Sequence, residues 1–273
     1  MNRFVAFLCV GLATISTGHA ENRLFPTDIL SPGEMDCIAS ISRDTHSANL
    51  NFKGNAGKTS LDLTKQTGQV RYGLGSNWHI GASLDYRSQA VVRTDYRNPA
   101  AHYVDTGSEG WQNPSLWVKY GFIHDSTSPV SLSGALRVTP NATGNSSTYQ
   151  GDLTLGWRNS DTLRLYGAFS AMAAAASNQA DTVGISVGLH KDISDNVTLA
   201  PRAAYFRHGG TSSFSALTQY GVGLSVQVRV DRNTYLLPNM ALYRNSSAIS
   251  QGGLHEDATR NGKAVRLSLY HLF

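Results

Sequence analysis

A hydroxyl nucleophile needs a base within reach, and on an extended strand the neighbours that share a face lie two residues apart. In this chain of 273 residues His124 and Ser126 have that spacing, which with an orienting polar partner would suit acyl transfer or ester hydrolysis. Both fall in the run HDSTSP, which reads as a turn and holds neither side chain on a strand face. His46 and Ser47 are adjacent and so point to opposite faces, and His208 precedes Ser212 and Ser213 in a Gly-rich loop. The nine histidines are scattered, and no pair shares a strand face with carboxylates at metal-ligand spacing. Of the two cysteines, Cys9 lies in an N-terminal apolar run and Cys37 reads as a small strand residue. These residues predict no enzyme, no metal site and no cofactor.

A second spacing carries more. Arg71, Arg87, Lys119, Arg137, Arg158, Arg164, Arg202, Arg229 and Arg266 each alternate with apolar neighbours, whereas Asp85 and Asp152 are the acids placed on the same faces. Cations lining a narrow passage raise the local concentration of anions and slow cations. Arg158 and Arg229 adjoin turns, and Arg71 is expected to pair with Asp85 across a hairpin. The candidates for a lumen that binds solute are therefore Arg87, Lys119, Arg137, Arg164, Arg202 and Arg266. The charge is mild overall. The formal +4 includes Arg3, so removing residues 1–20 leaves 4 − 1 = +3, without the basic cluster that nucleic-acid binding needs.

The elements that position these cations are period-2 strands. Val70, Tyr72 and Leu74, a Gly75-Ser76-Asn77 turn, then Trp78, Ile80, Ala82, Leu84 and Tyr86 form the clearest hairpin. Leu61 and Leu63 begin the same descending strand in the opposite phase, which predicts a bulge near Gly68. Similar hairpins turn at 124–129, 158–161, 191–196 and 231–233, with an opening strand from Met35 and a closing one from Ala264 to Phe273. Segments 44–57 and 93–113 read as polar loops. The sum is about twelve strands, with short turns alternating with longer loops, as in a transmembrane antiparallel up-and-down β-barrel of the bacterial outer membrane. The mean hydropathy of −0.24 is too polar for a helical membrane protein and ordinary for a barrel. Trp78, Phe122, Trp157, Tyr235 and Phe273 then form a periplasmic aromatic girdle, and Tyr86, Tyr149, Phe169, Tyr205 and Tyr243 an outer one.

The start of the chain fits export. Arg3 precedes the apolar run from Phe4 to Ile15, and Gly18-His19-Ala20 provides small residues for a signal peptidase. The expected organisation is a cleaved signal over 1–20, an irregular periplasmic segment over 21–33 and a barrel over 34–273. The closing strand AVRLSLYHLF is expected to be read by the barrel-assembly machinery, and the outer wall to contact outer-membrane lipids.

The runs QVRYGLGSNWHIGASLDY and SLWVKYGFIHDSTSPVSLSGALRVTP, with FPTDILSPGEMD at the entry, resemble the outer-membrane proteins associated with a phenol-degradation pathway. The resemblance implies a channel or transporter of small compounds, aromatic ones among them, and brings no catalytic motif. Where that family turns through Pro-Thr-Gly, this chain continues from Pro140 as Asn141-Ala142-Thr143-Gly144. The expected function is passage of small solutes or organic anions through a basic lumen. The alternative is an interaction barrel with a closed lumen, whose loops bind a partner.

Overall fold

In the computed structural model the described residues are 24–273, apart from 53, 98–99, 108, 125–127, 141–146, 176–179, 212–214 and 247–256. The proposed signal over 1–20 lies outside them. Among the described residues the fold is all-β, with fifteen strands. They are β1 (Met35–Phe52), β2 (Asn55–Gly75), β3 (Trp78–Arg87), β4 (Val91–Arg97), β5 (Ala100–Thr106), β6 (Gly110–Trp111), β7 (Ser115–Ile123) and β8 (Val130–Thr139). There follow β9 (Thr148–Ser160), β10 (Leu163–Ala174), β11 (Thr182–Ser194), β12 (Val197–His208), β13 (Leu217–Arg229), β14 (Thr234–Asn245) and β15 (Asp257–Leu272). Twelve of them close a barrel: β1 to β3 continue through β7 to β15, and β15 returns antiparallel to β1 from Asp36↔Leu272 to Asn51↔Asp257. Closure leaves no unpaired edge facing lipid, which is the condition for a sheet to cross a membrane.

Alternation sets the two faces. Ile80, Leu116, Leu136, Leu153, Val187, Val222, Leu224 and Leu267 are exposed large apolar residues on the outer wall. Their sequence neighbours Gly81, Trp117, Ala135, Arg137, Asp152, Gly188, Gly223 and Arg266 face inward. Four inward aromatics lie over glycines directly across the pairing: Trp117 on Gly81, Tyr166 on Gly188, Phe206 on Gly184 and Tyr243 on Gly262. A methyl on Gly188 would come within 2.6 Å of the Tyr166 hydroxyl, so the missing side chain is the space the ring occupies. Two prolines interrupt the ladder, having no N–H to give. Pairing of β11 with β12 skips from Gly188↔Arg202 to Lys191↔Leu199 around Pro201, and β13–β14 skips from Ser225↔Asn239 to Val228↔Leu236 around Pro238.

The five expected hairpin turns are present at one end, which the rule of short periplasmic turns assigns to the periplasm. At the other end the strands exceed a membrane. Crossing takes about 9–11 residues, whereas β1, β2 and β15 have 18, 21 and 16. The excess of β1 and β2 forms a polar ribbon, extended by the β4–β5 hairpin on Gly57–Asp62 of β2. Segments 44–57 and 93–113 are therefore largely strand rather than loop. Above the lipid the outward face of this ribbon meets water, so its outward positions need not be apolar, while Ala48 and Leu50 on the inward side are buried.

The bulge expected near Gly68 is absent. Pairing of β1 with β2 is continuous from Met35↔Tyr72 to Phe52↔Asn55, and Gly68 pairs regularly with Leu84. Leu61 and Leu63 face inward opposite His46 and Asp44, which explains their odd phase without a register shift. Tyr235 and Tyr243 also leave the expected girdles. In β14 the outward positions are Leu236, Met240 and Leu242, so both tyrosines point into the barrel, Tyr235 buried and Tyr243 bonded to His46. Trp78, Phe122, Trp157, Tyr149, Phe169 and Tyr205 do face outward, joined by Trp111 and Tyr220.

Candidate functional site

Two turns of like sequence shape residues 24–34. In Phe25-Pro26-Thr27-Asp28 the Asp28 N–H donates to the Phe25 carbonyl at 3.0 Å, while the Phe25 N–H donates back to Asp28 Oδ2 at 2.9 Å. In Ser31-Pro32-Gly33-Glu34 the Glu34 N–H donates to the Ser31 carbonyl at 3.0 Å and the Ser31 N–H to Glu34 Oε2 at 2.7 Å. Proline presets the second residue of each turn, and Gly33 takes the positive φ of 81° that a type II turn requires at the third. Each carboxylate three residues on satisfies an N–H that the turn leaves over.

This segment, expected as a lead-in ahead of the barrel, lies inside the short-turn end of the lumen. Phe25 and Leu30 are buried at 3% and 2% exposure. The Phe25 ring meets Tyr166 edge-on at 5.9 Å and His190 at 5.1 Å, and the Arg164 guanidinium stands over it at 4.7 Å. Leu30 joins Tyr235, Tyr270 and Leu272 in a buried cluster against which Leu24, Ile38 and Leu237 pack. Burying a side chain of this kind is worth about 1.5–3 kcal/mol. Polar contacts fix the depth: Thr27 Oγ1 with Ser131 Oγ at 2.7 Å, and the Leu30 N–H donating to His79 Nδ1 at 3.3 Å. The wall makes room through glycines. A methyl on Gly156 would lie 2.7 Å from the Phe25 ring, and one on Gly121 would lie 2.9 Å from Ile29 Cγ1.

The six cations chosen from sequence all lie on inward positions and divide into two groups. Lys119 and Arg164 hold the segment: Lys119 Nζ donates to the carbonyls of Pro26 and Asp28 at 2.7 and 2.8 Å, and Arg164 approaches Asp28 Oδ1 at 3.8 Å. Arg87, Arg137, Arg202 and Arg266 lie nearer the loop end. Arg137 stacks over Trp117 at 4.6 Å. Arg202 and Arg266 point inward, Arg202 across from Gly188 and Gly223 and Arg266 across from Ser42 and Asn239, yet both are exposed. An inward arginine reached by solvent marks a wet lumen at that height.

Arg71 does not pair with Asp85. It forms a bidentate pair with the fully buried Asp36, Nε to Oδ1 at 2.9 Å, while Asp85 accepts from Lys65 at 3.3 Å and Thr67 at 2.6 Å. The strand pairing decides this, because Asp36 is directly opposite Arg71 on β1. Asp28 and Asp36 are acids of the lumen that the alternation argument missed. The signal for Asp36 was a carboxylate at the second residue of the first strand, on the face opposite Cys37 and Ala39, and for Asp28 a carboxylate three residues after Phe25 in a proline turn. Of the groups weighed for catalysis, His124 Nε2 contacts Asn77 Oδ1 at 3.0 Å, and Ser126, Ser212 and Ser213 lie outside the described residues. Among the described residues no three His, Cys, Asp or Glu side chains are arranged to hold a metal.

No protein-family model matches the sequence, and no curated protein matches it significantly. Solved structures do match the fold. The COG4313 outer membrane channel from Pseudomonas putida F1 aligns over 91% of this chain and 98% of its own, at 10% identity and a TM-score of 0.61. A Pseudomonas aeruginosa FadL homologue aligns over 92% and 95%, at 11% identity and a TM-score of 0.49. The NanC porin aligns over 84% and 98%, at 10% identity and a TM-score of 0.48. At these identities the likeness speaks for the fold alone, and with the closed twelve-strand wall and its apolar belt it makes this chain a β-barrel of the bacterial outer membrane.

Proposed function

We propose that the barrel is a channel for small organic anions, aromatic carboxylates among them, closed at its periplasmic end by its own residues 24–33. The observation that carries this reading is the pair Arg202 and Arg266, inward and solvent-exposed beyond the segment. Their charge draws anions into the wet part of the lumen, and displacing a ten-residue segment opens the remainder. The resemblance of the hairpin sequences to the phenol-degradation-associated family, and the channel named in the first structural match, agree with it. The filling of the short-turn end of the lumen by residues 24–33 favours a second reading, an interaction barrel that never conducts.

The test is single-channel recording of the refolded mature protein, with reversal potentials under a salt gradient, repeated for Arg202→Gln with Arg266→Gln. Anion preference in the parent and its loss in the double variant are expected, and the preference should weaken as salt screens the charges. Silence both in the parent and in a variant lacking residues 24–33 would establish the interaction barrel instead. Conduction with cation preference, or with selectivity unchanged in the double variant, would remove the basic lumen from the proposal.

A further inference from the structure

The outer wall carries a charged feature that no solute passing through the lumen would meet. Above the apolar belt at the loop end, Arg207 of β12, Arg244 of β14, Lys263 of β15 and Arg43 of β1 all stand on the lipid-facing side. Strand pairing fixes that side: Arg207 is level with Val183, Arg244 with Tyr220, Lys263 with Leu242 and Arg43 with Val265, and each partner is an exposed outward residue. Four of five consecutive strands thus present a cation at the rim. The other half of the barrel does not: the corresponding outward positions on β7, β8 and β9 are Leu116, Val138 and Tyr149.

Between Arg43 and Lys263 runs a groove of about 560 Å³ whose floor is Ile41, Val265 and Leu267 and whose upper wall is Thr45 and Thr64. Asp62 bonds Arg43 Nε at 3.0 Å and steadies the guanidinium at the rim, and Arg43 keeps 67% of its side-chain surface exposed. Apolar floor below and cations with hydroxyls above suit an amphiphile with an anionic head. A free anion would leave the floor unfilled. From β12 to β1 there are four strand spacings of ~4.8 Å, and the pairing also steps six residues, ~20 Å, along the strands, so the row runs diagonally over roughly 28 Å, with neighbouring cations placed for separate phosphates of one head.

We infer that this one-sided rim seats the phosphorylated head of an outer-leaflet glycolipid, its phosphates on Arg207, Arg244, Lys263 and Arg43 and its acyl chains on the groove floor. Arginine and lysine bind phosphate by charge-assisted hydrogen bonds, strengthened at the edge of a low-dielectric layer. Exposed Tyr205 and Tyr220, paired with each other and next to Arg244, mark the interfacial level at which such a head would sit. The seat rests on the orientation of the barrel and not on conduction, so a protein that binds the lipid without conducting leaves it standing.

The experiment is native mass spectrometry of the mature protein in non-ionic detergent, titrated separately with bisphosphorylated lipid A, the same lipid after phosphatase treatment, and phosphatidylglycerol. A one-to-one adduct is expected with the bisphosphorylated lipid, roughly tenfold or more tighter than with either of the others. The R43Q/R207Q/R244Q/K263Q variant should lose that advantage while keeping the heat-modifiable gel migration of a folded barrel. Equal affinity for the dephosphorylated lipid, equal affinity for phosphatidylglycerol, or unchanged binding by the variant would each overturn the proposal. Should the variant fail to fold, the comparison of lipids on the parent decides.

Discussion

Lys119 Nζ lies 2.7 Å from the carbonyl oxygen of Pro26 and donates to it from the barrel wall across 93 positions of sequence. The same ammonium donates to the Asp28 carbonyl, so one side chain holds two carbonyls of the first turn of the segment. Hydrogen bonds to charged groups contribute about 1.5–3 kcal/mol each. Lys119→Met keeps the length and removes both, and should unseat residues 24–33 by about 3 kcal/mol or more. The expected result is more frequent channel opening and faster proteolysis within 24–33, with the barrel still heat-modifiable. Unchanged opening and unchanged proteolysis would show that Lys119 does not hold the segment.

Gly73 offers a test from the opposite direction. Its backbone pairs with the segment, Gly33 N–H to the Gly73 carbonyl at 2.9 Å and Gly73 N–H to the Glu34 carbonyl at 2.8 Å. A Cβ there would run into the Ser31 carbonyl, a backbone atom that cannot swing aside. Gly73→Val should therefore displace residues 31–33 while the strand itself, extended at this position, accepts valine readily. Higher conductance at unchanged barrel stability is expected, and closed channels like the parent's would refute the displacement.

On the outer wall Leu224 pairs with Met240, and both side chains face lipid at 44% and 46% exposure. Leu224→Arg should cost about 2–4 kcal/mol of folding free energy in bilayers, the depth-dependent penalty for a cation near the mid-membrane. Urea unfolding in lipid vesicles measures it. A shift within error would mean that this face does not meet acyl chains.

The turn between β13 and β14 predicts a pH effect outside the membrane. Asp231 accepts from the Asn233 N–H at 2.8 Å and from Thr234 Oγ1 at 2.8 Å, and these bonds, the backbone one foremost, hold its carboxyl below the usual carboxylate range. A lowered folded value means that folding favours the ionised form. Its contribution is complete above the ordinary value of about 3.9 and is lost as pH falls through the lowered one. Solvent screening keeps it small. Asp231→Asn should flatten the acid limb of the unfolding midpoint below about pH 4 and leave it little changed at neutral pH. An equally steep limb in the variant would assign the acid sensitivity elsewhere.

Alternation by itself determined the wall. Val187 against Gly188, Leu224 against Gly223 and Val265 against Arg266 name the lipid and lumen faces, because lipid on one side and water on the other force a period of two. The short turns at 75–77 and 191–196 fixed the hairpins in the same way. The pattern failed where that contrast vanishes. In 93–106 both faces are largely exposed, and in 44–57 the outward face lies above the lipid and is polar, so strand looks like loop; in β14 both aromatics, Tyr235 and Tyr243, fall on the inward positions and the outward ones are not aromatic, so the two tyrosines were placed on the wrong side.

What only the tertiary structure decided is which charges meet. The sequence marks Lys119 and Arg164 as inward cations and marks Pro26 and Pro32 as turns, and nothing local relates the two. Their meeting depends on closure, which sets β7 and β10, three strands apart, around one lumen and leaves space over Gly73, Gly121 and Gly156 that residues 24–33 fill. Pairing of Arg71 with Asp36 rather than Asp85 has the same origin, since register between β1 and β2 is set by the whole length of two strands and not by the residues that happen to be opposite.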